Sequence, residues 1–223
     1  MIELFEYPKS AYYGRTVPKS KIYEKASPSA AVKESFIRKV EKITWAYKLA
    51  PETINLNGSE AVPEIEIFHI HLKVQDYKTD FLSCIDKAIP LPIIFELFFG
   101  EKFKLVAAHK RVNEADSRKR VLSGYFETEW LPVNADRQPL PLLFNLEELY
   151  EKLISGLVAI ESAPEESLES RIIRHELIQA KQKEIAKLEA KLHQQKQFNR
   201  KVALNAEIRL LKHVITELTR PEQ

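Results

Sequence analysis

The chain has 223 residues, of which 44% are hydrophobic and 30% charged, and its net charge is +2. These proportions are typical of a folded soluble protein, and so small a net charge does not by itself indicate nucleic-acid binding. No run of about 18 uncharged apolar residues is present to span a membrane, and the N-terminus has early acids instead of the apolar core of a signal peptide. The only cysteine, Cys84, excludes an internal disulfide and a multi-cysteine metal site. We therefore expect a cytoplasmic protein without a membrane partner.

The pattern of apolar residues predicts an irregular N-terminal arm over residues 1–29 and an α+β domain over residues 30–163. The arm is interrupted at short intervals by prolines and a glycine. The expected elements of the domain are a helix near 30–42, strands over 42–49 and 64–73, a helix over 80–89, a hairpin of strands over 93–99 and 102–110, a strand over 121–130 and a helix that begins after Asn145. These elements predict a small, mostly antiparallel sheet with two or three helices.

The C-terminal segment 164–223 is predicted to be helical, because residues 165–220 contain neither glycine nor proline. Its apolar residues follow two heptad registers. The first contains Ile178, Ile185, Leu188 and Leu192, and the second contains Leu204, Ile208, Leu211, Ile215 and Leu218.

The two registers are out of phase, so the heptad pattern breaks around residues 194–201. One interpretation is a continuous rod that dimerises as a coiled coil. The other is a helical hairpin that folds back near Asn199. The absence of glycine and proline favours the rod. Because an amphipathic helix must bury its apolar stripe, we expect a homo-oligomer or a helical docking partner.

Acidic residues and a lysine on or near the strand over 64–73 suggest an alternative, a divergent metal-dependent nuclease. Such enzymes use acids and a lysine to hold Mg²⁺ and position water. The candidate residues here are Glu64, Glu66, Glu96 and Lys73. An acid is missing where the motif of restriction nucleases requires one, so we interpret the strand as a sheet face. We predict no catalytic residue, no metal and no cofactor.

A basic loop over residues 109–120 is the candidate nucleic-acid contact. It has five basic and two acidic residues. A basic loop at the end of a hairpin can hold phosphates, although charge runs are more often solvated. The candidate residues are Lys110, Arg111, Arg118, Lys119 and Arg120.

Several phrases of the sequence resemble a family of bacterial and archaeal proteins known as domain of unknown function 4391. The phrases are KITWAYKLAPETINL (42–56), IDKAIPLPIIFEL (85–97), LVAAHKRVNEAD (105–116), YFETEWLP (125–132) and KQFNRKVALNAEIRLL (196–211). Members are often encoded beside helicases and DNA methyltransferases, in clusters that look like restriction or phage-defence systems. The resemblance implies an accessory role in such a system, and it carries over no functional residues.

The sequence therefore predicts a non-catalytic accessory or scaffold subunit of a DNA-targeting defence system. We expect it to assemble through its C-terminal coiled coil and to dock on a helicase, a methyltransferase or DNA. The nuclease and a toxin- or antitoxin-like regulator stay open as alternatives.

Overall fold

The apolar segments of the sequence form the strands of a mixed sheet. The structure is a computed structural model that describes residues 3–113, 115–116 and 120–220. The chain divides into two units, Met1–Leu157 and Val158–Gln223. The strands are β1 (Phe5–Glu6), β2 (Tyr12–Thr16), β3 (Val40–Leu49), β4 (Ile65–Leu72), β5 (Ile93–Phe99), β6 (Lys102–Val112), β7 (Arg120–Glu127), β8 (Leu131–Pro132) and β9 (Gln138–Pro139). The helices are α1 (Lys19–Ala26), α2 (Ala30–Lys39), α3 (Pro51–Ile54), α4 (Asp80–Ala88), α5 (Leu146–Ser155), α6 (Leu168–Gln194) and α7 (Phe198–Thr219), with a 3-10 helix over Lys9–Ala11.

The main sheet of the first unit has the strand order β2-β3-β4-β5-β6-β7, and β8 adds to β6. All neighbouring pairs are antiparallel except β4 and β5, which run parallel. The parallel pair requires a crossover, and α4 supplies it between the two strands. The predicted α+β class and the mostly antiparallel sheet are confirmed.

One face of this sheet is covered by α1, α2 and α4. The residues that pack there include Ile22, Phe36, Phe68, Phe81 and Phe95, each at most 2% exposed. Part of the arm predicted to be irregular thus folds into β2 and α1. Strand β2 is stabilised by its antiparallel pairing with β3, and α1 by the burial of Ile22 against the sheet.

Helix α5 lies against β6. The Asn145 side chain accepts a hydrogen bond from the Glu148 backbone N–H, so the helix begins where the sequence predicts. The Tyr150 hydroxyl donates to the Ala108 carbonyl at 3.2 Å. This bond fixes α5 on the strand that also carries Lys110.

The second unit is a helical hairpin, and the continuous rod is wrong. The chain leaves α6 at Gln195 and enters α7 at Gln197, with φ/ψ of −77°/128° and −78°/124°. These are ordinary extended conformations that any residue adopts, so the reversal needs neither glycine nor proline. Antiparallel packing of the helices brings Lys212 Nζ to 3.0 Å from Glu189 Oε1. None of the helices in the described part of the chain is long and apolar enough to cross a membrane.

Candidate functional site

A buried ion pair between Glu96 and Arg137 lies on the sheet face opposite α4. Glu96 alternates along β5 with Phe95, which faces α4. Arg137 comes directly before β9, whose parallel pairing with β1 brings its guanidinium over the sheet. Arg137 Nη1 donates to Glu96 Oε1 at 2.7 Å and Nη2 donates to Glu96 Oε2 at 3.1 Å, a bidentate pair.

The neighbours of Glu96 set its protonation state. His69 Nε2 lies 3.3 Å from Glu96 Oε2, an ion-pair distance without hydrogen-bond geometry. Burial by itself would raise the pKa of Glu96, but the proximity of His69 and Arg137 outweighs it and lowers the pKa. Glu96 is therefore a carboxylate at neutral pH. Burial of the Tyr7 hydroxyl, and then the charge of Glu96, raises the pKa of Tyr7.

Glu96 and Arg137 line a cleft of about 220 Å³, together with Tyr7 and Lys152. At its rim, Lys152 Nζ lies 2.6 Å from Glu3 Oε2. Both carboxylate oxygens of Glu96 already bind the guanidinium. The ion pair thus anchors β9 to the sheet. Arg137 also donates to the Phe5 carbonyl at 3.2 Å, which anchors β1 in the same way.

The four residues of the nuclease alternative do not converge. In the register of β4 and β5, Glu66 lies beside Ile93 whereas Glu96 lies beside His69, three positions further along β4. Because side chains alternate between faces, Glu66 and Glu96 occupy opposite faces of the sheet. Lys73 Nζ donates to the Ile37 carbonyl at 2.8 Å. In the part of the chain that the structure describes, no group of three or more His, Cys, Asp or Glu residues could hold a metal ion.

Glu66 has an unusual environment of its own. It is 1% exposed, and both its oxygens and the nearby Trp45 Nε1 are buried without a hydrogen-bond partner among the described residues. Glu64 instead pairs with Lys48, whose Nζ lies 2.8 Å from Glu64 Oε2. Burial, and then the charge of Glu64, raises the pKa of Glu66 to about 8. Glu66 is therefore mostly a neutral acid at pH 7.

Lys110 does not belong to the basic loop, which corrects its assignment as a nucleic-acid contact. Its Nζ lies 2.9 Å from Asp86 Oδ1, and each side chain is 1% exposed. The same ammonium donates to the carbonyls of Ile89 and Leu91 at 2.8 and 2.7 Å, just after the end of α4. The Tyr125 hydroxyl donates to Asp86 Oδ2. An ammonium with these partners cannot reach a phosphate.

The other residues of the basic loop divide into described and undescribed positions. Arg120 begins β7 and donates to the Glu60 carbonyl at 3.4 Å. Arg111 lies half-buried in β6. Arg118 and Lys119 lie outside the described residues. Of these residues, Arg111 and Arg120 lie on neighbouring strands, where Arg111 is opposite Val121 and Arg120 is opposite Val112.

The residues predicted for oligomerisation are buried or half-buried in the second unit. Seven of the nine pack in one cluster between α6 and α7. These are Ile185, Leu188, Leu192, Leu204, Ile208, Leu211 and Ile215. The two registers of the sequence are thus the two sides of one intramolecular seam, and the chain itself provides the helix that each stripe needs.

The end of the hairpin carries a set of cations that the sequence-based reasoning missed. We define the hairpin tip as residues 190–206, which contain no acidic residue. Its four cations are Lys191, Lys196, Arg200 and Lys201, and all are exposed. Within the described ranges, none of them lies within ion-pair distance of a carboxylate. The nearest acids in sequence are Glu189 and Glu207, and Glu189 pairs with Lys212 instead. The absence of acids over residues 190–206 could have indicated this site in the sequence. It was overlooked because residues 165–220 as a whole contain both cations and acids.

Several cations elsewhere in the hairpin are paired with acids. The Arg174 guanidinium binds Glu166 at 2.7 Å, and Lys181 Nζ lies 3.1 Å from Glu184 Oε2. Exposed cations such as Lys183 and Lys187 alternate in sequence with Glu184 and Glu189, whereas the tip has cations and no acid, so this end of the unit has a local positive charge.

Two grooves lie on the surface of the tip. A groove of about 440 Å³ is lined by residues that include Lys191, Gln194 and Arg200. A second groove of about 300 Å³ is lined by residues that include His193 and Lys201. Charged and amide side chains in such grooves can donate hydrogen bonds to an anion.

A family model described as a domain of unknown function, DUF4391, matches residues 5–215. No curated protein and no solved structure matches the chain. The match covers the sheet, α5 and nearly all of the hairpin, so both units are part of what the family shares. The chain belongs to the family described as a domain of unknown function, DUF4391.

Proposed function

We propose that the chain is an accessory subunit that binds nucleic acid through the hairpin tip. The observation that carries this proposal is the set of four exposed cations, Lys191, Lys196, Arg200 and Lys201, in a segment without an acid. Nucleic acid is the polyanion that such a surface binds by releasing counterions. In this proposal a helicase or DNA methyltransferase encoded beside the chain performs the reaction, and the hairpin holds the substrate strand for it.

The shape of the hairpin supports this role. The seam between α6 and α7 is closed by apolar residues of both helices. The tip is therefore presented at the end of a packed two-helix element, and its cations need not order a flexible loop when they bind. Preorganisation of this kind lowers the entropic cost of association.

The test is binding of the purified full chain to fluorescein-labelled DNA and RNA oligonucleotides, followed by fluorescence anisotropy at several salt concentrations. Four phosphate contacts to a single strand predict a slope of about −3 in log K against log salt. The double substitution Lys196→Glu and Arg200→Glu should weaken binding at least tenfold and lower the slope. Lys196 lies between the helices and Arg200 in the first turn of α7. Acids at these positions are compatible with the helix dipole.

The matched control is Lys183→Glu with Lys187→Glu, which makes the same change of charge at exposed positions in the middle of α6. If this control weakens binding as much as the tip variant does, the affinity reflects total charge and the proposal is wrong. Incubation of the chain with the same oligonucleotides and Mg²⁺ tests the nuclease alternative. We expect the oligonucleotides to stay intact, which would contradict that alternative.

A further inference from the structure

We infer that the hairpin tip recognises unpaired bases, so that its ligand is single-stranded nucleic acid and Phe198 is the residue that stacks on a base. This inference rests on the proposed function and adds the class of ligand. Cations alone bind single and double strands alike, whereas an exposed aromatic ring among them distinguishes the two.

Phe198 is an exposed aromatic ring whose neighbours in sequence, from Gln197 to Lys201, are polar. It is the first residue of α7 and is 77% exposed, whereas the apolar seam residues Ile208 and Leu211 are 5% and 8% exposed. In the described part of the chain it contacts no other aromatic ring. Most of the ring surface is therefore accessible to a ligand.

The cations of the tip lie close to this ring in the chain. Lys196 precedes Phe198 by two residues, and Arg200 and Lys201 follow it by two and three. Arg200 lines the larger groove and Lys201 the smaller one. A strand whose phosphates bind these cations would place its bases within reach of the ring.

Base pairing decides which ligand can use the ring. In a duplex the faces of a base are covered by its stacked neighbours, so only the phosphates are available to the tip. In a single strand the bases turn outward, and any base offers a face to an aromatic side chain irrespective of sequence. Phe198 therefore contributes to binding of a single strand and not to binding of a continuous duplex.

The experiment measures binding of the full chain to a 20-nucleotide oligo(dT) and to a closed dumbbell duplex that has no free ends. Phe198→Ala should lower affinity for oligo(dT) about tenfold and leave affinity for the dumbbell unchanged. Phe198→Trp should retain the preference for the single strand. The matched control is Leu210→Ala, which removes another exposed apolar side chain, 66% exposed, from the same helix. It should change neither affinity.

The outcomes separate this inference from the proposed function. If Lys196→Glu with Arg200→Glu abolishes binding while Phe198→Ala leaves the ratio of the two affinities unchanged, the tip binds phosphates without stacking and only the inference fails. If poly-glutamate competes as well as oligo(dT) for both wild type and Phe198→Ala, the tip is a general polyanion site and the inference is again overturned. If the charge reversal has no effect on either ligand, the proposed function fails as well.

Discussion

The ammonium nitrogen of Lys110 lies 2.9 Å from a carboxylate oxygen of Asp86, and each of the two side chains is 1% exposed. The pair connects the end of α4 to the C-terminal part of β6. Burial lowers the pKa of Lys110 and raises that of Asp86, and their mutual attraction opposes both shifts. Removal of one partner leaves a buried charge without compensation.

Lys110→Met is expected to destabilise the first unit by about 3–5 kcal/mol, because Asp86 would stay buried without its cation. Both tryptophans, Trp45 and Trp130, lie in this unit, so urea unfolding followed by tryptophan fluorescence reports on it. The double substitution Lys110→Met with Asp86→Leu should recover part of the loss, since no charge is then buried. A double variant that is less stable than Lys110→Met would contradict this account.

Arg137→Met should change the pH dependence of stability. In the wild type the pKa of Glu96 is lowered, so its contribution to stability is present above its unfolded-state pKa of about 4.3 and is lost as the pH falls through the folded-state value. Without the guanidinium, burial dominates and the pKa of Glu96 rises. The variant should then lose stability as the pH increases from about 5 to 7.

The measurement for Arg137→Met is urea unfolding at pH 5, 6 and 7. Arg38→Met serves as the control, because the Arg38 side chain is 74% exposed and contacts only a neighbouring acid of α2. A parallel loss of stability with pH in wild type and Arg137→Met would show that the guanidinium does not control Glu96.

Glu66→Gln is expected to stabilise the first unit at high pH. The folded-state pKa of Glu66 is about 8, above its unfolded-state value, so the folded state retains a proton that the unfolded state loses. The contribution of Glu66 to stability therefore decreases as the pH rises from about 4.3 to 8, and it is lowest above pH 8. The amide does not ionise, so the advantage of the variant over wild type should grow with pH and be largest at pH 8 and above.

Thermal unfolding of wild type and Glu66→Gln at pH 5, 6.5 and 8 checks this expectation. The matched control is Glu64→Gln, which removes a carboxylate that is already paired with Lys48 and should destabilise instead. Equal melting temperatures of wild type and Glu66→Gln at all three pH values would mean that Glu66 ionises normally.

Leu211→Ala should destabilise the packing of the hairpin without changing the oligomeric state of the protein. Leu211 is 8% exposed in the seam, where a large-to-small substitution costs about 2–5 kcal/mol. We expect less helical circular dichroism on heating and faster trypsin cleavage within the second unit. The exposed neighbour Leu210→Ala is the control. A fall in molar mass by light scattering for Leu211→Ala alone would instead support a seam shared between two chains.

Local sequence patterns determined most of the secondary structure. The apolar run of β4, the proline-bounded α4 and the Asn145 cap of α5 are features of neighbouring residues, and the structure has each of them close to its predicted place. The helical content of residues 168–219 likewise follows from composition. The exceptions include β2, which is stabilised by pairing with β3, and α1, which is stabilised by the burial of Ile22 on the sheet.

Tertiary structure decided which of these residues meet. The break between the heptad registers marks where residues 165–220 can turn, but the choice between rod and hairpin depends on Gln195 and Gln197, whose ordinary backbone angles require neither glycine nor proline. Likewise Lys110 reads as part of a basic loop in the sequence, but the pairing of β6 beside the end of α4 buries it against Asp86. Sequence specifies which residues are charged or apolar, whereas burial and pairing, which set the chemistry of a charge, arise only when distant segments pack together.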